Sequence, residues 1–205
     1  MSLVISLKKR RENPDKKKEI INKYDATSDY YERRYSEIQY KKYEIVLKDF
    51  ILRDKVILDA GCGTGLLYDF IISSIEQTKT AYYSYIAIDI SINMLKVFKS
   101  KNFNKDKKIR NKLNLVLSDL ENLPIRSNIV NSVLSLTSFQ NLPHIKDGVK
   151  ETLRVAKDEI KISILKKKLD LNQLISILKP RIYNLEIMDK ETIEDVIIQG
   201  KKVKT

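Results

Sequence analysis

Gly61, Gly63 and Gly65 take every second position of the stretch VILDAGCGTG, directly after an apolar run that ends in Asp59. Glycine permits positive φ and lets another molecule lie against bare main chain. A helix starting near Gly65 would turn its free amides and positive dipole end toward this loop, which favours a ligand with a negative group. The pattern is G-x-G-x-G with Leu66 in the sixth place, so it departs from the dinucleotide fingerprint. The Gly-Lys-Ser/Thr of a phosphate-cradling loop is absent. Alone, the triplet also fits a tight strand-to-helix turn. It is not alone: Asp89 closes the next strand-like run, where a carboxylate can accept both ribose hydroxyls, and Asp119 closes the one after. Carboxylates at three successive strand ends repel phosphates. They suit a nucleoside that carries a cationic group.

These positions need a scaffold, and the hydrophobic pattern describes one. Strand-like KVILDA, YSYIAID, KLNLVLSD, VNSVLSL and EIKISILK alternate with helical segments. Two last strand candidates, NLEIM and DVIIQGKKV, end the chain. Such alternation implies an α/β fold, a doubly wound and mostly parallel sheet with right-handed crossovers. One run fits less well. IKISIL alternates apolar and polar residues, which implies a thinly covered face. Residues 1–20 read as a basic N-terminal arm and 21–203 as one domain. Its first part, about 21–52, is helical and carries Ile38, Tyr43, Val46, Leu47, Phe50 and Ile51 at helical spacing.

Composition removes several classes of function. The chain has 205 residues and a single cysteine, Cys62, so it forms no internal disulfide. One cysteine and one histidine argue against a protein-built metal site. No apolar run approaches the roughly 20 residues of a membrane span. The N-terminal MSLVISLKKR puts its apolar patch before its charges, the reverse of a signal peptide. The expectation is a soluble, cytoplasmic protein. A net charge of +12 favours RNA or another polyanion, or reflects a lysine-rich background.

Together these motifs resemble the class I S-adenosylmethionine-dependent methyltransferases, the small single-domain kind, from about Tyr24 to the C-terminus. LDAGCGTG is similar to the family's first motif, AIDIS to the second and SDLENLP to the third. SVLSLTSFQNLPH takes the fourth position. The resemblance implies S-adenosyl-L-methionine as cofactor and a Rossmann-like seven-stranded sheet in the order 3-2-1-4-5-7-6, the last strand antiparallel. It implies a cofactor site built from Asp59, Gly61, Cys62, Gly63, Gly65, Asp89, Ile90, Asp119 and Leu120. YDATSDYYERRY is similar to a segment that caps the cofactor pocket in such enzymes, which adds Tyr24 and Tyr31. Tyrosine faces attract cations, although both rings could equally pack an N-terminal helix.

Methyl transfer depends chiefly on aligning acceptor, methyl and sulfur. A base is required only where the acceptor loses a proton. The candidates follow the fourth strand: Thr137, Ser138, Gln140, Asn141 and His144. His144 could be that base, or a polar residue opening the next helix. Gln140 and Asn141 could orient a polar acceptor or cap a turn. KKKLD, after the fifth strand, is too short to form a lid, and an open rim suits RNA or a translation-linked macromolecule. Arg33, Arg34, Lys41 and Lys42 would line such a path. A quinone- or lipid-precursor acceptor beneath the tyrosine helices is the alternative, and a non-catalytic cofactor-binding subunit the third. LNLVL, at the sheet edge, is apolar enough to expect a small activator protein or a second copy against it.

Overall fold

A computed structural model describes residues 14–28, 30–53, 55–74, 83–102, 112–167 and 171–203. Residues 1–13 of the basic arm and most of the basic loop after Asn102 lie outside the described residues, as do the last three residues of KKKLD.

Two helices, α1 (Pro14–Thr27) and α2 (Tyr31–Val46), precede the sheet. Five strands run parallel: β1 (Lys55–Ala60), β2 (Tyr83–Asp89), β3 (Leu113–Leu117), β4 (Val130–Leu136) and β5 (Ala156–Leu165). Between them lie α3 (Leu66–Ser74), α4 (Ile92–Asn102) and α5 (Ile145–Val155). After α6 (Leu171–Leu178), β6 (Ile182–Asp189) and β7 (Asp195–Lys202) form a hairpin, and β7 pairs antiparallel with β5. The sheet order is β3-β2-β1-β4-β5-β7-β6, the order the sequence implies.

Strand side chains alternate between faces, and this divides the core in two. Ile57 and Tyr85 meet α2, α3 and α4 on one face, where Tyr68 stands edge-on to Tyr85 with ring centres 4.9 Å apart. Leu58, Val133 and Ile162 meet α5 and α6 on the other. The alternation of IKISIL has a different cause from the one expected. Its polar face is buried: Lys161 and Ser163 lie under the N-terminal helices, and Lys161 Nζ donates to the Val46 carbonyl at 2.8 Å. That face is polar because what covers it is polar.

The buried face of α2 carries Gln39, Lys42, Tyr43 and Val46, at i, i+3, i+4 and i+7. Ile38 and Ile51, expected to face inward, are exposed. Tyr43, Val46, Leu47 and Phe50 are buried as expected, while α2 turns Ile38 outward and carries Gln39 and Lys42 into the interior.

Candidate functional site

The carboxyl ends of β1, β2 and β4 and the residues after β3 surround a cleft that opens to solvent. Winding reverses between β1 and β4, where open α/β sheets bind ligands. Gly61 and Gly63 form its floor, and Asp89, Ile90, Asp119 and Leu120 one wall. Thr137, Ser138 and Asn141 form the other, and Tyr24 and Tyr31 close it from the helical side.

The loop after β1 is held from below. Gly61 and Cys62 N–H groups both donate to the Ile88 carbonyl, at 2.8 and 2.9 Å, and Gly65 N–H donates to the Cys62 carbonyl at 3.0 Å. Gly63 N–H donates to Asp89 Oδ2 at 2.8 Å. The amides of Gly61, Cys62, Gly63 and Gly65 are thus engaged in fixing the shape of the loop. What the loop offers instead is an open surface. A side chain added at Gly63, where φ is +54°, would meet nothing within 4 Å.

Asp89 also accepts from Ser91 N–H through Oδ1 at 2.8 Å. Burial lifts its carboxyl above the ordinary range, opposed by hydrogen bonds from the Ser91, Gly63 and Ile90 amides. Burial likewise raises the Tyr24 phenol, reinforced by the Asp89 charge, and Tyr24 Oη accepts from Asn141 Nδ2 at 2.8 Å. Tyr31 is raised for the same first reason.

Not every residue singled out in the sequence reaches the cleft. Asp59, Cys62 and Gly65 sit behind its floor: Asp59 takes a hydrogen bond from Tyr85 Oη at 2.8 Å, and Cys62 is packed in the core. His144 is exposed at the start of α5 and lines neither this cleft nor the one beside it. Gln140 lies in a short 3-10 turn (Phe139–Asn141), and its Nε2 donates to the Thr137 carbonyl at 2.7 Å.

Two residues were invisible as site residues, and a third, Lys42, was assigned a different place. Lys17, in the first turns of α1, reaches Asp119 at 2.6 Å and Glu121 at 3.0 Å and lines the cleft. Asp25 accepts from Ser91 Oγ and from Asn93 N–H, so α1 is fastened across the mouth at both ends. Lys42 was placed on an exposed cationic path. It is instead 2% exposed and ion-paired with Asp195 at 3.0 Å. Lys42 shares the buried face of α2 with Tyr43 and Val46, which accounts for that correction.

A second cleft adjoins the first and shares Tyr24, Tyr31, Thr137 and Asn141 with it. Tyr30, Tyr35 and Ile38 line its helical side, Lys42 and Asp195 the interior.

A family model described as a methyltransferase domain matches residues 58–164, more than half of the chain. The chain belongs to this family. It is a class I S-adenosylmethionine-dependent methyltransferase, an enzyme whose cofactor is S-adenosylmethionine. Among solved structures, the magnesium protoporphyrin IX methyltransferase of Synechocystis PCC 6803 with bound S-adenosylmethionine superposes with a TM-score of 0.71 at 17% identity, covering 92% of this chain and 98% of that one. A methyltransferase from Aquifex aeolicus gives 0.61 at 18%, covering 94% and 100%. One chain of a Haloferax volcanii complex, between the Trm112 methyltransferase activator and its candidate methyltransferase, gives 0.67 at 10%, covering 88% and 98%. Identities this low show a shared fold. No curated protein sequence matches the chain.

The cleft of the methyltransferase suits such a cofactor by its own chemistry. Its lining is acidic at Asp89 and Asp119, aromatic at Tyr24 and Tyr31, and bare at Gly63. Among the described residues no cluster of His, Cys, Asp or Glu could hold a metal ion, and no helix is long and apolar enough to cross a membrane.

Proposed function

We propose that this methyltransferase modifies a small planar acceptor bound in the tyrosine-lined cleft, and that the adjoining cleft holds the cofactor. Asp89 would take the ribose hydroxyls, Ile90, Asp119 and Leu120 the adenine, and Gly61 and Gly63 the chain beside it. Tyr24 and Tyr31 would close over the sulfonium, which their ring faces attract. Bound S-adenosylmethionine supplies an electrophilic methyl group.

The observation that carries the choice of acceptor is the shared wall of the two clefts. Tyr24, Tyr31, Thr137 and Asn141 line both, so a molecule in the second cleft lies next to one in the first. Flat aromatic walls favour a flat partner. The missing lid after β5 is replaced by α1 and α2, which cover the site from the N-terminal side. Arg33 and Arg34 on α2 remain exposed, and they are the observation that favours RNA at the same rim. Labelled methyl transfer into separated small-molecule and RNA fractions of a cell extract decides between them. Label in the small-molecule fraction is expected, and label confined to RNA overturns this reading.

The cofactor assignment has its own test. Asp89→Ala removes the carboxylate that fixes both Gly63 and Ser91. Titration calorimetry with S-adenosylhomocysteine should show affinity falling by about 100-fold, from two charge-assisted hydrogen bonds of about 1.5 kcal/mol each. Unchanged affinity would move the cofactor elsewhere.

We also assign the free edge of β3 to a partner strand, as the sequence suggested. Leu117 and Ile92 are exposed there, with Leu113 and Leu115 beside them and Lys96 and Lys99 at the margin. The Haloferax volcanii complex makes a small activator protein a reasonable occupant, with self-pairing as the alternative. Sedimentation of the purified chain separates them: a dimer that Leu115→Lys dissociates indicates self-pairing.

A further inference from the structure

Tyr31 and Tyr35 stand one turn apart on α2 and so share a face, and their ring centres lie 4.8 Å apart. Tyr24 of α1 meets Tyr31 edge-on, with ring centres 6.5 Å apart. Each end of this row of three rings carries a cation. Lys23 Nζ lies 5.3 Å from the centre of the Tyr24 ring, and Arg34 Cζ 5.5 Å from that of Tyr35, within reach of the attraction of a ring face for a cation. All five residues line the second cleft.

The charges of this cleft do not cancel where the two cations lie. Lys42 and Asp195 neutralise each other in the interior. Glu194, exposed beside Asp195, is the other carboxylate of the lining. Lys23 and Arg34 are exposed as well, and among the described residues neither forms an ion pair. Arg33 is exposed too, but it does not line the cleft. Tyr30 and Ile38 lie one turn to either side of Arg34 on α2 and are 43% and 46% exposed at the same lining. A guanidinium between two uncovered apolar side chains suits a partner that is both apolar and anionic. The rings of such a partner cover the apolar surface, and its acid group meets a planar fork of donors.

We propose that the second cleft takes a planar aromatic acceptor that carries an acid group, its rings lying along the tyrosine row and its acid group held at the mouth by Arg34 and Lys23. The inference rests on the small-acceptor reading above. The acid group is a handle and not the point of methylation. Neither Arg34 nor Lys23 lines the cofactor cleft, whereas Tyr24, Tyr31, Thr137 and Asn141 line both. The reacting atom therefore lies at the shared wall, and the handle lies away from it. Glu194 repels the acid group from its own side and so favours one of the two ways round. Arg34 and Lys23 are specificity residues: ring contact supplies most of the affinity, and charge selects which flat molecule is kept.

The probes are 2-naphthoate and its uncharged amide, 2-naphthamide, which share one shape. Each is titrated by calorimetry into the full chain saturated with S-adenosylhomocysteine, at neutral pH and low salt. The acid should bind about tenfold tighter than the amide, the worth of two partly exposed ion pairs. Arg34→Gln should cut that preference to about threefold or less, and Lys23→Gln with Arg34→Gln should erase it. Arg33→Gln should leave it intact. Raising the salt to about 0.5 M should shrink it, since exposed charges are screened. The ratio of acid to amide is taken within each protein, so a small change in folding cancels. Equal binding of acid and amide by the unaltered chain overturns the inference and leaves the small-acceptor reading standing. So does an equal loss in Arg33→Gln and Arg34→Gln, which would trace the preference to the net charge of the chain. Absence of binding by either probe overturns both readings, and binding of a short single-stranded RNA in their place would assign the tyrosine row to stacked bases.

Discussion

Gly65→Ala lowers the stability of this methyltransferase by about 2–5 kcal/mol, while Gly63→Ala costs only about 1–2 kcal/mol and abolishes cofactor binding. The two glycines share the left-handed region, with φ at +85° and +54°. Each therefore charges an alanine about 1–2 kcal/mol for backbone strain. Their surroundings then separate them. A Cβ at Gly65 would lie 2.4–2.6 Å from three ring atoms of Phe98. Phe98 is fully buried and packs tilted against Tyr68, with ring centres 5.6 Å apart, so it has nowhere to retreat. Overpacking of this kind adds about 1–3 kcal/mol. In a domain of this size the sum moves the melting temperature by roughly 5–20 °C. At Gly63 the added methyl enters open space, and that space is the cleft. Thermal melting and calorimetry on both variants check the contrast. Equal melting temperatures, or intact cofactor binding in Gly63→Ala, would contradict this account of the loop.

Much of the scaffold was legible because it is written in local periodicity. Strand-like runs alternate with helix-like runs, except for the linker between β3 and β4, and that pattern implies a doubly wound, mostly parallel sheet. The order of its strands and the antiparallel last strand came from the resemblance to the family. Asp89 and Asp119 were legible because each lies at or just after the carboxyl end of a parallel strand, on the side of the sheet where open α/β folds bind ligands, although β3, before Asp119, is the edge strand. Residues whose role depends on distant partners were not. Lys42 and Asp195 are separated by 153 positions and Lys17 and Asp119 by 102. No spacing rule joins either pair. Nor did hydrophobicity place Lys42, since on that measure Ile38 is the better inward residue. The decision lay with β5, whose polar alternate residues needed polar cover from α2. The odd alternation of IKISIL was therefore the one sequence signal of the buried network, and its meaning became visible only with the helix laid across it.

The same burial that shapes the site also makes the fold sensitive to pH, through Asp59. Burial pushes its carboxyl up from 3.8 to about 7, opposed by the hydrogen bond from Tyr85 Oη and reinforced by the Asp89 charge. The folded chain therefore binds this proton more tightly than the unfolded chain. The contribution of Asp59 to stability is fully present below about pH 4 and declines as the pH rises through 7. Above that, a buried carboxylate remains, with one hydrogen bond and no cation beside it among the described residues. A difference of this size corresponds to on the order of 4 kcal/mol, at about 1.4 kcal/mol per pH unit. Asp59→Asn keeps an acceptor for Tyr85 and removes the charge. It should raise stability by about 2–4 kcal/mol at pH 8 and change little at pH 4. Urea unfolding of both proteins at the two pH values measures this directly. A gain that is equal at both, or a loss at pH 8, would mean that Asp59 stays ionised in the core and is stabilised there by something other than Tyr85.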